Sequence, residues 1–500
     1  MNAYAYFSRA FQARLAQPFL LGDDGTTYTY ADLERETARI AAFLTGLGLG
    51  KGDRVAAQVE KSAQGLFLYL GTLRAGLCFL PLNTAYQRAE LAYFLKDAEP
   101  RVVVCRTQSV AALSKLCNEA GVPHLYSLDE HGKGTLADAL RDVATEFNNP
   151  ALDENDLAVI VYTSGTTGRS KGAMVTHRNL TSNAQVLKDF WRFTERDVLL
   201  HALPIFHVHG LFVAVHTTLV AGARMLFHRR FDPKAVIAAL PGATAMMGVP
   251  TFYTRLLAEP GLTREAVKNV RVFISGSAPL LLDTFDEWQS RTGQTILERY
   301  GMSEAGMITS NPYEGERRGG TVGFPLPGVS VRAAASDGRI LGPGEPGEVQ
   351  IQGPNVFAGY WRMPEKTKEE FTADGWFHTG DVGQWSADGY LSIVGRAKDL
   401  IISGGYNVYP KEIELVIDAL QGVLESAVVG VPHPDFGEAV TAVIVQHDDA
   451  ALDEAAVIAH VRSQIANYKV PKRVVFVKEL PRNAMGKVQK NVLRDQCSET

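Results

Sequence analysis

The sequence predicts an α/β fold divided between two domains. Residues 1–397 read as a large N-terminal domain of layered parallel and mixed sheets with helices plus a strand-rich subdomain, and residues 398–500 as a small α+β domain. Three observations lead there. A chain of 500 residues exceeds what one hydrophobic core organises. Short apolar runs alternate with helical stretches up to residue 276, the rhythm of βαβ units and parallel sheets. Past residue 320 glycine and proline become dense, and past Lys398 helices and strands alternate again in a unit of ordinary domain size.

Taken in order, the opening MNAYAYFSRAFQARLAQPF has no acid and two arginines, Arg9 and Arg14, a composition shared with transit peptides. Tyr4, Phe7 and Phe11 make it instead a first surface helix with these rings turned inward. From Tyr30, YADLERETARIAAFLTGLG brings Leu33, Ile40, Phe43, Leu44 and Leu47 to one helical face. RVAAQV (54–59), CFLPLN (78–83), RVVVC (101–105), LAVIVY (157–162) and RVFISG (271–276) are short apolar strands. TILERYGMSEAG (295–306) begins as a strand, with Ile296, Glu298 and Tyr300 on one face and Leu297 and Arg299 on the other, and ends as a polar loop. GGTVGFPLPG (319–328) and LGPGEPGEVQIQGPNVFAGYW (341–361) are short strands and turns. In the small domain KEIELVIDAL and DEAAVIAHVRSQI read as helices, and ESAVVGV, AVTAVIVQH and RVVFVKEL as strands. No internal repeat or low-complexity tract is visible.

Hydrophobic residues at 46% and charged residues at 21% are ordinary for a globular chain, and a net charge of −5 draws it neither to nucleic acid nor to membrane surfaces. No uncharged run approaches the ~18 residues of a spanning helix. Cys78, Cys105, Cys117 and Cys497 form no CxxC pair, so they read as reduced thiols of a cytoplasmic protein, outside any disulfide frame or zinc site.

The sharpest chemical signal is YTSGTTGRSKG, Tyr162 to Gly172, directly after an apolar strand. Glycines let backbone N–H groups approach an anion, and hydroxyls and the Lys171 ammonium add donors. A surface turn needs one or two such residues, so this density points to a polyphosphate. The Gly-x4-Gly-Lys-Ser/Thr loop is excluded, because Gly172 follows Lys171 and the glycine spacing differs.

That loop, followed in order by SGSAPL (275–280), YGMSE (300–304), TGD (379–381), GRAKDLI (395–401), GGYNVYP (404–410) and PRNAMGKVQK (481–490), resembles the adenylate-forming superfamily of acyl-CoA synthetases, peptide-synthetase adenylation domains and firefly-type luciferases. The resemblance covers essentially the whole chain. It implies that a carboxylate attacks the α-phosphate of MgATP and that coenzyme A then displaces AMP. By the same resemblance, Thr163, Ser164, Gly165, Thr166, Thr167, Gly168 and Lys171 hold the β- and γ-phosphates. Ser277, Ala278 and Pro279 line the adenine and acyl region, and Glu298, Tyr300, Gly301, Met302 and Ser303 complete the ATP site. Asp381 accepts the ribose hydroxyls with Arg396 beside it, and Glu304 is the Mg²⁺ ligand. Lys487 is the adenylation lysine, an electrostatic clamp on the transition state. The family further implies a mobile small domain that turns on a hinge at Lys398 and presents Gly404, Gly405 and Tyr406 to coenzyme A.

LPIFHVHGLF (203–212) matches the family's acyl-site segment, which implies that His207 stands beside the reacting acyl group. Arg299 occupies a position where fatty-acid and aryl-acid enzymes usually carry a small residue. With GVPTFYTRLL, GPNVFAGYWRMPEKT and GVPHPDFGEAVTAV, it makes malonyl-CoA synthetases the nearest resemblance, with Arg299 holding the carboxylate that is not activated. Ala305 and Gly306 leave malonate and methylmalonate both open. A short-chain monocarboxylate synthetase and a stand-alone carrier-loading adenylation enzyme are the alternatives. The implied partners are small molecules (dicarboxylic acid, ATP and coenzyme A), acting on a monomer or weak homo-oligomer.

Overall fold

A computed structural model describes residues 2–163, 170–403, 406–433, 436–448, 450–483 and 486–498. The chain forms two compact units. The first comprises Met1–Gly319, Phe324–Ser330 and Gln352–Gly375, and the second Gly320–Gly323, Val331–Ile351 and Trp376–Thr500. The domain boundary expected near Lys398 therefore falls inside the second unit, because the strands of the Gly/Pro-rich region pack with the residues that follow them.

The first unit contains two sheets. In the six-stranded sheet the order is His124–Ser127, Val102–Cys105, Arg54–Gln58, Cys78–Pro81, Leu157–Thr163 and Lys171–Thr176. All its neighbours are parallel except the last pair, which is antiparallel. The nine-stranded sheet runs Phe324–Pro325, Gly306–Ser310, Ile296–Met302, Val272–Ser275, Ala245–Gly248, Val198–His201, Arg224–Phe227, Pro18–Gly22 and Thr27–Thr29. Its strands from Ile296–Met302 to Pro18–Gly22 are parallel. Every residue of Val102–Cys105 and of Val272–Ser275 is buried, as parallel strands covered on both faces must be.

The expected strands and helices form because local pattern and packing agree. Thr29 caps the helix Tyr30–Gly46 through a capping box with Asp32. Leu33, Ile40 and Leu44 of its apolar face are buried. Tyr4, Phe7 and Phe11 are buried around the first helix, Ala3–Ser8. The loop expected at 303–306 is a turn into a second strand, Gly306–Ser310, that pairs antiparallel with Ile296–Met302. Beneath the sheets lie an apolar cluster of Ala56, Leu80, Phe94, Val103, Leu116 and Ile160, and another of Met246, Tyr253, Phe273, Trp288 and Ile296.

The second unit holds a four-stranded sheet in the order Ser330–Ala334, Gly347–Gln352, Phe377–Trp385, Leu391–Arg396. It also holds a five-stranded sheet built on the long antiparallel pair Val423–His433 and Gly437–Gln446. Helices Pro410–Asp418 and Glu454–Gln464 cover the second sheet through Ile413, Ile417, Val457 and Val461. All four cysteines are buried free thiols. Among the described residues no helix is long and apolar enough to cross a membrane.

Candidate active site

Strand Leu157–Thr163 ends opposite the start of strand Lys171–Thr176, so Thr163 faces Lys171 across the pair. The expected phosphate-loop residues Ser164, Gly165, Thr166, Thr167 and Gly168 lie outside the described residues. Thr163 and Lys171 border them. Thr163 Oγ1 donates to Glu304 Oε1 at 3.0 Å, and the Tyr360 hydroxyl donates to the same oxygen at 3.2 Å. Burial, and then the Glu304 carboxylate, push the Tyr360 phenol far up, so it remains a donor. Lys171 is buried, pairs with Glu370 at 3.0 Å and stands 4.2 Å from the Tyr360 ring centroid. Burial raises the Glu370 carboxyl, but the Lys171 and Lys366 ammoniums outweigh it and hold the carboxyl below its usual range. Glu304 itself is buried, and its backbone carbonyl accepts Phe357 N–H at 2.7 Å. Ser303 stands half-buried beside it.

At the other side of strand Ile296–Met302 the alternation separates two opposite charges. Glu298 Oε1 accepts Leu280 N–H at 3.1 Å and so pins the segment that carries Ser277, Ala278 and Pro279. Arg299 is 2% exposed and packs against Gly276, where an added Cβ would come within 2.5 Å of Arg299 Cζ and Nη1. Burial pushes the guanidinium down to about 9. Its Nε and Nη2, the hydroxyl of Ser275 and Nε2 of His209 are buried with no hydrogen-bond partner among the described residues. His209 Nδ1 lies 3.3 Å from Ser277 Oγ. Burial, and then the Arg299 charge, drive the His209 pKa well down, so its imidazole is neutral. Ser277 adopts φ 73°, a left-handed conformation that a serine holds only at a cost and that concentrates at functional sites.

His207 lies in the same turn as a second imidazole, His209. His207 Nδ1 accepts the backbone N–H of His209 at 3.4 Å, so it shapes the turn, while His209 is the imidazole beside Ser277 and Arg299. Sequence reasoning missed His209, Ser275, Gly276 and Tyr360. The pair of histidines in FHVHG was the available signal for His209. Tyr300, Gly301 and Met302 are half-buried at the end of the same strand.

In the second unit Asp381 and Arg396 are cross-strand partners, with Nε 3.0 Å from Oδ1 and Asp381 almost fully buried. Lys398 is exposed in a single 3₁₀ turn, Ala397–Asp399, directly after Arg396. Gly404 and Gly405 lie outside the described residues, and Tyr406 opens the strand Tyr406–Val408. Lys487 is held in a turn. Its backbone N–H donates to Asn483 Oδ1 at 3.0 Å, its carbonyl accepts Asn483 N–H at 2.9 Å, and Arg482 Nη1 donates to Gly486 O at 2.7 Å.

The AMP-binding enzyme family model matches residues 7–361, and the AMP-binding enzyme C-terminal domain model matches residues 412–487. The chain belongs to the AMP-binding enzyme family. Its fold is similar to the crystal structure of ATP-bound MatB from Rhodopseudomonas palustris, at 52% identity and TM-score 0.97 over 100% of this chain and 99% of that one. It is 37% identical to a sulfoacetate–CoA ligase of Cupriavidus necator, over 95% of this chain and 94% of that protein. It is 34% identical to a malonate–CoA ligase of Arabidopsis thaliana, over 94% of this chain and 85% of that protein. Within this AMP-binding enzyme the first unit gathers Thr163, Lys171, Glu304 and Tyr360 at one end of strand Ile296–Met302, and Ser275, Ser277, His209 and Arg299 along its other part. The second unit by itself holds the Asp381–Arg396 pair and the Lys487 turn.

Proposed function

We propose that this AMP-binding enzyme joins malonate to coenzyme A in an ATP-dependent reaction that passes through an acyl-adenylate. One observation carries the reading. Arg299 is an almost fully buried cation whose Nε and Nη2 have no hydrogen-bond partner among the described residues, and Ser275 Oγ and His209 Nε2 are likewise without one. A buried cation left unpaired is costly, so the cluster calls for an anion. A dicarboxylate brings one. Its distal carboxylate meets the guanidinium through two parallel N–H···O bonds, and a monocarboxylate tail leaves those donors empty. The activities by which two relatives are named support the reading, since malonate and sulfoacetate both carry a second anion one methylene from the carboxylate.

In the first step a proximal carboxylate oxygen bonds the α-phosphorus of ATP, and the bond from that phosphorus to the pyrophosphate oxygen breaks. In the second the coenzyme A sulfur bonds the acyl carbon, AMP leaves with the anhydride oxygen, and the thiol proton passes to solvent. Lys171 and the residues 163–168 would hold the outer phosphates, and Asp381 the ribose hydroxyls, with Arg396 fixing its carboxylate. Lys487 would clamp the charge that builds up between the carboxylate and the α-phosphate. Lys398 as hinge and Gly404, Gly405 and Tyr406 as the coenzyme A face complete the reading. The Glu304 carboxylate and the Thr163 hydroxyl, 3.0 Å apart, are hard oxygens of the kind Mg²⁺ takes. Among the described residues no group of three His, Cys, Asp or Glu could hold a metal ion. Bound there, Mg²⁺ would neutralise phosphate charge. The cytoplasm, where thiols stay reduced, suits four free cysteines. The enzyme would act as a monomer or weak homo-oligomer.

The test is Arg299→Leu, assayed for kcat/KM with malonate, sulfoacetate and butyrate. Wild type should favour the two dianions. The variant should lose malonate turnover by roughly 10²–10⁴ while the gap to butyrate narrows. Its Tm should hold or rise, because an unpaired buried charge is replaced by an apolar side chain. An unchanged malonate-to-butyrate ratio refutes the assignment.

A further inference from the structure

Lys61 is a buried lysine outside the machinery described above. It follows strand Arg54–Gln58 of the six-stranded sheet and is 7% exposed. It reaches across to the end of a strand in the other sheet. Its Nζ donates to the carbonyl of His201 at 2.8 Å and lies 2.8 Å from His201 Nδ1. It also stands 4.3 Å from the centroid of the Phe227 ring. Those three contacts enclose its amine.

The contacts of its ring decide the state of His201. Burial drives the Lys61 amine well down from its ordinary value, yet an amine donates in either charge state; the Gly210 carbonyl beyond Nε2 can only accept, so Nε2 carries the imidazole proton and Nδ1 accepts from Lys61. Burial holds His201 neutral. A neutral imidazole that accepts at Nδ1 carries its proton on Nε2. Nε2 lies 2.9 Å from the carbonyl oxygen of Gly210, and an N–H there donates to it. Gly210 is the residue after His209. It passes so close to Pro204 that a Cβ would stand 2.0 Å from Pro204 O. From His209 the chain enters a π-helical turn, His209–Ala214, of the kind found often at functional sites.

We propose that Lys61 and His201 are positioning residues that set the His207–Gly210 turn, and with it the His209 imidazole beside Ser277 and Arg299. The inference rests on the dicarboxylate reading, because His209 matters through the anion it helps to receive. Lys61 touches no substrate. Its amine donates to Nδ1 and holds the ring in place, Nε2–H holds the Gly210 carbonyl, and that carbonyl fixes the backbone from which His209 projects.

Three variants test it. Lys61→Met keeps the stem and removes the donors. His201→Leu removes the link to Gly210. His201→Gln keeps an amide donor for Gly210 O and an acceptor for Lys61. Initial rates with varied malonate and varied ATP, the malonate-to-butyrate ratio of kcat/KM and a melting curve are measured for each. Lys61→Met and His201→Leu should raise KM for malonate by about ten- to a hundredfold, the effect of a displacement near 1 Å. KM for ATP should stay at the wild-type value, and the malonate-to-butyrate ratio should fall by the same factor as malonate binding. His201→Gln should recover most of the loss. An unchanged malonate KM in the first two variants overturns the inference, as does an equal rise for ATP and malonate, or a His201→Gln no better than His201→Leu. Should Lys61→Met fail to fold, the comparison of the two His201 variants decides. A wild-type enzyme with no preference for malonate over butyrate overturns the dicarboxylate reading, and this inference with it. A preferring wild type whose variants keep its ratio overturns this inference alone.

Discussion

Gly276→Ala perturbs the anion cluster without removing any of its polar atoms. The new Cβ would lie 2.5 Å from Arg299 Cζ and Nη1 and 2.8 Å from Nε. Ordinary contact between such atoms is about 3.5–4.0 Å, so one side must give by about 1 Å. Gly276 is not at a positive φ, so its backbone accepts alanine. The guanidinium, at the end of a flexible side chain, is what moves. A 1 Å misplacement costs about a hundredfold in rate, or about 2.7 kcal/mol of transition-state stabilisation. The expected result is a kcat/KM for malonate lower by that factor, with kcat/KM for butyrate, KM for ATP and Tm close to wild type. The assay is pyrophosphate release at subsaturating acid, with a melting curve on the same preparation. Equal losses for malonate and butyrate would show that Gly276 serves the ATP site or the general fold. No loss for malonate would show that the position of the Arg299 guanidinium does not govern recognition.

Lys487→Ala should reduce adenylate formation by on the order of 10²-fold or more while sparing thioester formation from preformed acyl-AMP and coenzyme A; equal loss in both half-reactions assigns the lysine a structural role instead. Asp418→Asn should raise stability at pH 7.5 but not at pH 4. Burial raises the Asp418 carboxyl from 3.8 to about 6, so the native state favours the protonated form, and stability is lost as pH rises through that window. The full shift would be worth about 3 kcal/mol, which partial exposure reduces to about 1 kcal/mol or roughly 2–4 °C in Tm; a Tm difference that is flat between the two pH values refutes the assignment.

The parts of the fold that were legible are those fixed by short windows. RVVVC and RVFISG read as buried parallel strands, and they are. In TILERYGMSEAG the two-residue period put Arg299 opposite Glu298, and the structure keeps them apart, with Glu298 bound to Leu280 N–H. The second strand of that hairpin, Gly306–Ser310, went unread, because AGMITS has neither the length nor the alternation to announce itself before its partner is known. His209 went unread for a related reason. Two histidines two residues apart look alike in sequence, and which one meets Ser277 depends on a π-helical turn whose start no local pattern marks.

By itself the sequence determined what chemistry the chain carries: a hydroxyl- and glycine-rich loop, an arginine on the leucine face of a strand, a carboxylate after it and a lysine near residue 487. These are properties of residue type and of backbone periods of two or 3.6, which repeat within one element. Only the tertiary structure decided that Arg299 lacks partners, that Gly276 leaves room for its guanidinium, and that Lys61 meets His201 at a separation of 140 residues. Such contacts join different strands and different sheets. They exist only once the whole core has closed, since the packing that excludes water is also what turns a surface arginine into a buried cation in need of an anion.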